Sequence, residues 1–472
     1  MIRRPPRSTP SNSSAASDVY KRQVVIPVKN PKLWSPDSPF LYDLKVTLKN
    51  RWGKKLDEVD SYFGMRKISL GKDAKGTTRM MLNNKFVFQF GFLDQGWWPD
   101  GLYTAPTDEA LRYDIEVTKK LGFNLARKHV KVEPDRWYYW CDKLGLLVWQ
   151  DMPSGDEYVS PNDPDIIRTK ESAEQFRLEL RRMIEGFRNH PSIVVWVPYN
   201  EGWGQYDTPG ITKMIKELDP SRLVDSASGW ADRGTGDIKD IHRYPGPGMP
   251  LPEADRAIVL GEFGGLGLPI EGHSWQEKDN WGYRQFDSPE QLTRAYAELI
   301  KKLYPLVRNG LSAAVYTQTT DVEVEVNGMM TYDRAVVKMD VEDVRRINAG
   351  YFPPLIESSA DVFLDSAVVR ISNVTQPGQI RYTTDGTDPD ENSTVYTLPL
   401  RLTQTTTVKA RTYWPDGTHS DISEYRCVKT TFREPRRVSG LKPGLRYEYL
   451  SLIHISEPTR PLYISYAVFC LK

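Results

Sequence analysis

Two hydrophobic rhythms run along the chain, and the change from one to the other divides it. Residues 24–71 carry apolar runs of period two, "LYDLKVTLKN" and "LDEVDSYFGMRKISL", broken by the polar turn "RWGKK". This predicts a hairpin of a small β domain, too short to be a whole sandwich. From about residue 80 short apolar runs alternate with helical spacing. "KFVFQFGF", "FNLAR", "LLVWQD", "SIVVWVPYNE", "RLVDSAS", "DIHRY", "AIVLGEF" and "SAAVYTQ" read as strands. "TDEALRYDIEVTKKLG" reads as a helix, with Thr107 or Asp108 as N-cap, apolar spacing at Leu111, Ile115 and Val117, and a glycine stop. "EPDRWYYWCDKLG" is a second helix, with Pro in its first turn and Gly after its end. "ESAEQFRLELRRMIEGFRNH", "ITKMIKELDP" and "PEQLTRAYAELIKKLYPLVRNG" supply three more.

The strand bodies are apolar throughout, the pattern of parallel strands buried on both faces. Eight of them alternating with helices predict a closed (β/α)8 barrel over residues 72–351. A doubly wound sheet is the competitor, weakened because no GxGxxG follows the first strand. After 352 the helices stop. "DVFLDSAVVRISN", "GQIRYTTDGTDP", "TVYTLPLRL" and "TTTVKARTYWPDGTHSD", with turn chemistry at Asp385-Gly386 and Asp416-Gly417, predict a β-sandwich over 352–430. An exposed Trp414 there reads as the flank of a β-turn sooner than as a sugar contact. The fold class expected is therefore multidomain, α/β plus β.

Composition excludes more than it assigns. A net charge of +1 gives no electrostatic footprint for nucleic acid, and no apolar run reaches membrane-span length. Cys141, Cys427 and Cys470 lie far apart, without CxxC or Cys/His spacing, which argues against a zinc site and a disulfide framework. Six histidines with no HxH argue against a metal-dependent amidohydrolase. No metal and no cofactor are expected, and the oligomeric state stays open. Aromatics at 11%, with 13 Trp, hint at sugar recognition.

The two ends read as foreign to the rest. Residues 1–23 are basic and Ser/Pro-rich without an apolar h-region, so they are not a signal peptide. Residues 451–472 interrupt "GLKPGLRYEYL", where 431–450 reads as a linker and the start of another module. Both ends resemble translated sequencing-adapter read-through. The expectation is that the stretch between them comes from a longer parent, with any export signal upstream and a secreted or periplasmic location.

A barrel presents its chemistry at the C-terminal ends of its strands. There the sequence places Asp94 and Trp98, then Arg127 and His129, then Asp151, then Asn200, Glu201 and Trp203, then His242 and Tyr244, then Glu262, then Tyr316 and Gln318. Polar groups converging among aromatic platforms suit a polyhydroxyl ligand. Glu201 and Glu262 leave strands four and seven on opposite sides of the mouth. Cleavage of a glycosidic bond needs such a pair, one acid to protonate the leaving oxygen and one carboxylate to attack or to activate water. A separation near ~5–5.5 Å gives retention and a larger gap inversion. The apolar strand before Glu201 and the nearby Trp203 suit the acid, whose pKa must be raised. Glu262 lies between Gly261 and Gly264-Gly265, where the backbone is free to bring it close to substrate. The competing reading of Glu262 is a rim salt bridge with Arg127. Trp98, Trp203, Trp230 and Trp275 either shape the pocket or pack loops.

These residues sit in motifs that resemble glycoside hydrolase family 2, the family of β-galactosidases, β-glucuronidases and β-mannosidases. "NPKLWSPDSPFLYDLKVTL" and "FGMRKISL" resemble the end of its immunoglobulin-like domain, so residues 24–71 are expected to be part of one. "GFNLARKH" resembles its strand-two Arg segment, "NHPSIVVWVPYNEGWG" its acid/base signature and "VLGEFGG" its nucleophile strand. The resemblance implies double displacement with retention, Glu201 as general acid/base and Glu262 as nucleophile. It implies that Asn200 bonds the sugar 2-hydroxyl, that Arg127 orients the nucleophile and that Tyr244 bonds it. Asp94, Trp98, Trp203, His242 and Tyr316 complete the expected substrate contacts. The sequence departs from the family at His129, two residues after the Arg instead of three, and at Asp151 in place of a common Glu. The family's sugar-binding jelly roll is absent from this chain, and no Asn-x-Lys element of glucuronidases is evident. Residues 352–430 resemble the β-sandwich appended to chitobiases. The implied activity is that of an exo-β-glycosidase acting on an oligo- or polysaccharide, β-galactosidase-like first, with β-glucuronidase, β-mannosidase or a non-catalytic carbohydrate-binding scaffold as alternatives.

Overall fold

The computed structural model describes residues 26–432, so the expectations for 1–23, for 451–472 and for nearly all of 431–450 lie outside the described residues. Tyr42–Lys49 and Lys55–Phe63 form the expected antiparallel hairpin, turning at Gly53 with φ +81°. Among the described residues no third strand joins it. Val46 and Val59, paired in register, are both about half exposed. Ile68–Lys72 then pairs with Thr78–Leu82, so this second hairpin straddles the boundary expected at 71/72. Ile68, Met80 and Leu82 pack into one apolar cluster with barrel residues Leu125, Trp149 and Val195.

Eight parallel strands follow: β1 (Gln89–Asp94), β2 (Leu125–Lys128), β3 (Leu147–Asp151), β4 (Ile193–Val197), β5 (Leu223–Val224), β6 (Ile238–Arg243), β7 (Ala257–Gly264) and β8 (Ala313–Thr317). Their order is β5-β4-β3-β2-β1-β8-β7-β6, the circular order of a barrel and not that of a doubly wound sheet. β5 and β6 share no ladder. The Asp237 N–H bonds the Val224 carbonyl at 2.9 Å and the Val224 N–H bonds Asp237 Oδ2 at 2.8 Å, so the barrel is nearly closed there. "KFVFQFGF" splits in two, because Lys85–Phe86 pairs back onto Thr78–Leu82 and only Gln89 onward enters the barrel.

The helices start and stop where the capping chemistry puts them. α1 (Asp108–Lys120) is capped by Thr107, whose Oγ1 accepts from the Ala110 N–H at 3.1 Å. α2 (Asp135–Leu144) takes Pro134 as N-cap instead of within its first turn, and ends at Gly145 in the left-handed region. α3 (Lys170–Phe187), α4 (Thr208–Leu218), α5 (Pro289–Arg308) and α6 (Val341–Asn348) complete the outer layer. No helix follows β5 or β6 among the described residues, so the alternation predicted from sequence is incomplete: irregular segments 225–237 and 244–256 stand in those places.

Beyond 352 a three-stranded and a five-stranded sheet enclose their own core around Val369, Val408 and Cys427. Trp414 is buried, not exposed. It packs edge-on against Tyr351 at 4.7 Å, and Arg346 of α6 lies over it at 5.5 Å.

Candidate active site

β4 ends in Val197, and the chain then makes a tight turn that throws Glu201 toward the barrel axis. Glu201 has φ +53°, a left-handed conformation that side chains with a Cβ seldom adopt. Its N–H is tied to the Ser228 carbonyl at 2.8 Å, which holds the turn against the loop after β5. Glu262 lies inside β7 and is buried. One oxygen of Glu201, one oxygen of Glu262 and a ring nitrogen of His242 lie within 4.8 Å of one another. The carboxyl groups therefore sit at the close spacing of a retaining pair.

Glu262 is gripped from both sides. Its Oε1 accepts from Arg127 Nη1 at 3.2 Å and its Oε2 from the Tyr244 hydroxyl at 2.6 Å. Tyr244 also meets Thr317 Oγ1 at 2.6 Å and stacks on Tyr283, centroid to centroid, at 3.8 Å. Arg127 is fully buried, and its guanidinium serves three acceptors besides Glu262. Nε and Nη2 make a fork onto Asp151 at 3.1 and 2.9 Å, Nη2 bonds Asn200 Oδ1 at 2.7 Å, and Nη1 bonds the Gly261 carbonyl at 3.3 Å. Burial opposes the guanidinium charge, but Asp151 and Glu262 outweigh it and hold its pKa up. Burial also raises the pKa of Glu262, against the pull of His242 and Arg127. Asp151 is thus the counter-ion of Arg127.

His242 bridges the pair. Nδ1 is 2.8 Å from Glu201 Oε1 and 3.5 Å from Glu262 Oε1; Nε2 is 2.9 Å from Ser228 Oγ. Burial works against its charge, yet the Glu262 charge and the bonds to Asp240 and Glu201 push its pKa up to about 10. His129 Nε2 stands 3.7 Å from Glu262 Oε1 and has no hydrogen-bond partner among the described residues; burial first, and then Arg127, hold its pKa well below the usual value. Glu201, His242 and Glu262 are spaced as three ligands could be. The Arg127 guanidinium already touches Glu262 and lies 3.4 Å from His242 Nε2, so a cation among them would meet a fixed positive charge.

Four expected substrate contacts are engaged elsewhere. Asp94 is buried and accepts from Lys128 Nζ at 2.8 Å, in a cluster completed by Glu133 and Lys131. Trp98 is buried with the Arg334 guanidinium 3.7 Å above its ring. Tyr316 is 1% exposed and packs among Phe92, Phe263 and Tyr296 in the core. The His242 side chain is fully covered, with both nitrogens committed. Arg127 and Tyr244 likewise reach Glu262 instead of open space. Trp203, at 49% exposed, is free on one side and packs against Tyr158 at 5.4 Å. The glycines around Glu262 are needed for packing: a Cβ on Gly261 would lie 1.9 Å from Asp240 Oδ2, and one on Gly264 2.4 Å from the Tyr316 ring.

Ser228, Asp240, Thr317 and Tyr283 take part in the site and were not singled out from sequence. Asp240 had a signal. Asp240 and His242 are polar residues two apart in "DIHRY", which puts both on one face of β6, and Tyr244 follows just past the strand's end. Ser228 lies in an irregular loop with no such periodicity.

Comparison with known proteins places this barrel. The profile "Glycosyl hydrolases family 2, TIM barrel domain" matches residues 78–244, "Glycosyl hydrolases family 2" matches 6–66 and "Fn3 associated" matches 369–425. The chain is 31% identical over 222 residues to a β-galactosidase of Lactococcus lactis, covering 46% of this chain and 21% of that protein. It is 34% identical over 209 residues to a Formosa agariphila protein whose name provisionally assigns it as a β-glucuronidase, covering 44% of this chain and 19% of that protein. The matched stretch thus spans about a fifth of the length of these curated relatives. Among solved structures, Parabacteroides merdae β-glucuronidase shares the fold at TM-score 0.52 and 15% identity, over 87% of this chain and 58% of that one. The barrel and the segment before it thus each match a profile of glycosyl hydrolases family 2.

Proposed function

We propose that this barrel is a retaining exo-β-glycosidase working by double displacement. The observation that carries the reading is the approach of the Glu201 and Glu262 carboxyl oxygens to within 4.8 Å across the barrel mouth. Glu262 is the nucleophile. Arg127 and Tyr244 fix its two oxygens, and the Arg127 charge favours its ionised form. As Glu262 attacks the anomeric carbon, Glu201 gives a proton to the leaving oxygen, and the glycosyl group becomes an ester of Glu262. Glu201, now a carboxylate, takes a proton from water as that water attacks the anomeric carbon and frees Glu262. Asn200, with Oδ1 held by Arg127, keeps its amide nitrogen for the sugar 2-hydroxyl. The substrate is a carbohydrate with a terminal β-linked sugar.

The finer reading is a β-galactosidase-like specificity, supported by the Lactococcus relative; the Formosa relative supports a β-glucuronidase equally. A panel of aryl β-galactosides and β-glucuronides on the wild-type chain decides between them. The same panel tests the mechanism. Glu262→Ala should lose turnover by about 10⁴-fold or more, and azide should restore it with release of the inverted glycosyl azide. Glu201→Ala should keep its first step only on aglycones that leave without protonation. Near wild-type turnover of ordinary substrates by either variant overturns the assignment.

A further inference from the structure

Behind Glu201 the barrel interior holds polar groups that double displacement does not use. Asp240 (β6) accepts from the Gly261 N–H through Oδ1 at 2.5 Å and from the Ser228 hydroxyl through Oδ2. Ser228 has one hydroxyl hydrogen, and it points at Asp240. Ser228 Oγ therefore faces His242 Nε2, 2.9 Å away, as an acceptor, so Nε2 carries a hydrogen. That leaves Nδ1 facing Glu201 Oε1 at 2.8 Å. Ser228 holds Glu201 a second time, through its own carbonyl and the Glu201 N–H.

We propose that Asp240, Ser228 and His242 form a buried positioning chain that commits Glu201 Oε1 to the protein and leaves Oε2 alone for the glycosidic oxygen. The inference rests on the proposed role of Glu201 and deepens it: the chain decides which oxygen does the acid/base work. None of the three need touch substrate; they act through Glu201.

The groups facing His242 fix its charge. Glu201 after β4 and Glu262 on β7 face Nδ1; Ser228 after β5 and Asp240 on its own strand face Nε2. Arg127 on β2 lies 3.4 Å from Nε2 and opposes the charge, as does burial; Asp151 on β3 pairs with Arg127 and blunts that opposition. His129, also on β2, is held neutral. Asp225, after β5, is buried beside Asp240, and burial followed by the Asp240 charge raises its pKa well above the usual carboxylate range. The pull of Glu262, Asp240 and Glu201 holds the ring charged up to about pH 10.

Asp240→Asn separates this chain from passive packing. The amide is nearly isosteric, and its oxygen can keep the Gly261 bond. Its NH₂ then donates to Ser228, which must turn its hydroxyl toward Nε2 and strip that nitrogen of its hydrogen. In ¹⁵N-labelled full chain, wild-type His242 should show both ring nitrogens protonated through pH 8. Asp240→Asn should lose the ring charge at lower pH and settle as the Nδ1–H tautomer. Ser228→Ala should also lower the titration, and Ser228→Thr should restore it. In kinetics Asp240→Asn should cost about tenfold or more on substrates with poor leaving groups, part of the ~10²–10⁴-fold a positioned acid supplies, and little on a dinitrophenyl glycoside. An unchanged His242 titration and tautomer in Asp240→Asn, or an equal loss on both substrate classes, overturns the proposal. If the wild-type chain hydrolyses no β-glycoside at all, the glycosidase reading fails, while the histidine spectrum still reports whether the chain exists.

Discussion

Arg127 shows what one residue must satisfy in this site. Its guanidinium is shut away from water and answers two carboxylates, an amide and a carbonyl. A buried ion pair is poor evidence of net stability, since desolvation consumes most of the attraction. Losing one partner is another matter, because the others stay buried and unpaired. Arg127→Met should destabilise the chain by ~3–5 kcal/mol in urea unfolding, with turnover lost besides. Arg127→Lys should not rescue it, because an ammonium cannot make the fork onto Asp151 and also reach Glu262. The competing reading of Glu262, a salt bridge with Arg127, turns out to be compatible with a nucleophile. The same contact that neutralises the carboxylate also aims it.

At the scale of elements, the segment before the barrel is clamped to it through side chains far apart in sequence. Trp34 is completely buried and donates from Nε1 to the Asp142 carbonyl in α2 at 2.8 Å. Tyr62, at the end of the first hairpin, donates to the Asp142 carboxyl at 2.7 Å, and Arg66 bonds the Pro191 and Ile193 carbonyls leading into β4. These contacts anchor the end of α2 and the entry of the strand that delivers Glu201. Trp34→Ala should cost ~3–5 kcal/mol in denaturant unfolding, because it empties a large volume and orphans a carbonyl. The predicted elements that held were those with a local cause: capping residues, glycine stops, and apolar runs too hydrophobic for anything but a buried strand. No helical spacing is read after β5 or β6, and none of the described residues there form a helix, so the general strand-helix alternation breaks at those two places. Those segments are instead where Ser228 and Tyr244 turn back into the site.

Across the whole molecule, the C-terminal sandwich joins the barrel along a seam of side-chain contacts and hydrogen bonds. Trp414 meets Tyr351 and Arg346, Arg346 also donates to Thr418 Oγ1 at 3.1 Å, and Gln376 donates to the Ala349 carbonyl at 2.7 Å. The sandwich has a core of its own, separate from the barrel clusters. Trp414→Ala should therefore lower the melting of the sandwich in calorimetry and leave aryl-glycoside turnover within about twofold. The sequence by itself determined the eight barrel strands, the sandwich after them and the two acids at strand ends, because buried parallel strands and caps are written in residues close together along the chain. It also determined which residues lie at strand ends, but not which way each of them faces. Asp94, Trp98 and Tyr316 occupy strand-end positions as expected and yet serve Lys128, Arg334 and the aromatic core. Only the tertiary structure decided that, and only it set Asp240 and Ser228 behind His242. Closing a barrel brings residues a hundred positions apart into hydrogen-bond range, and which of them then meet depends on the register and bulges of every strand between them.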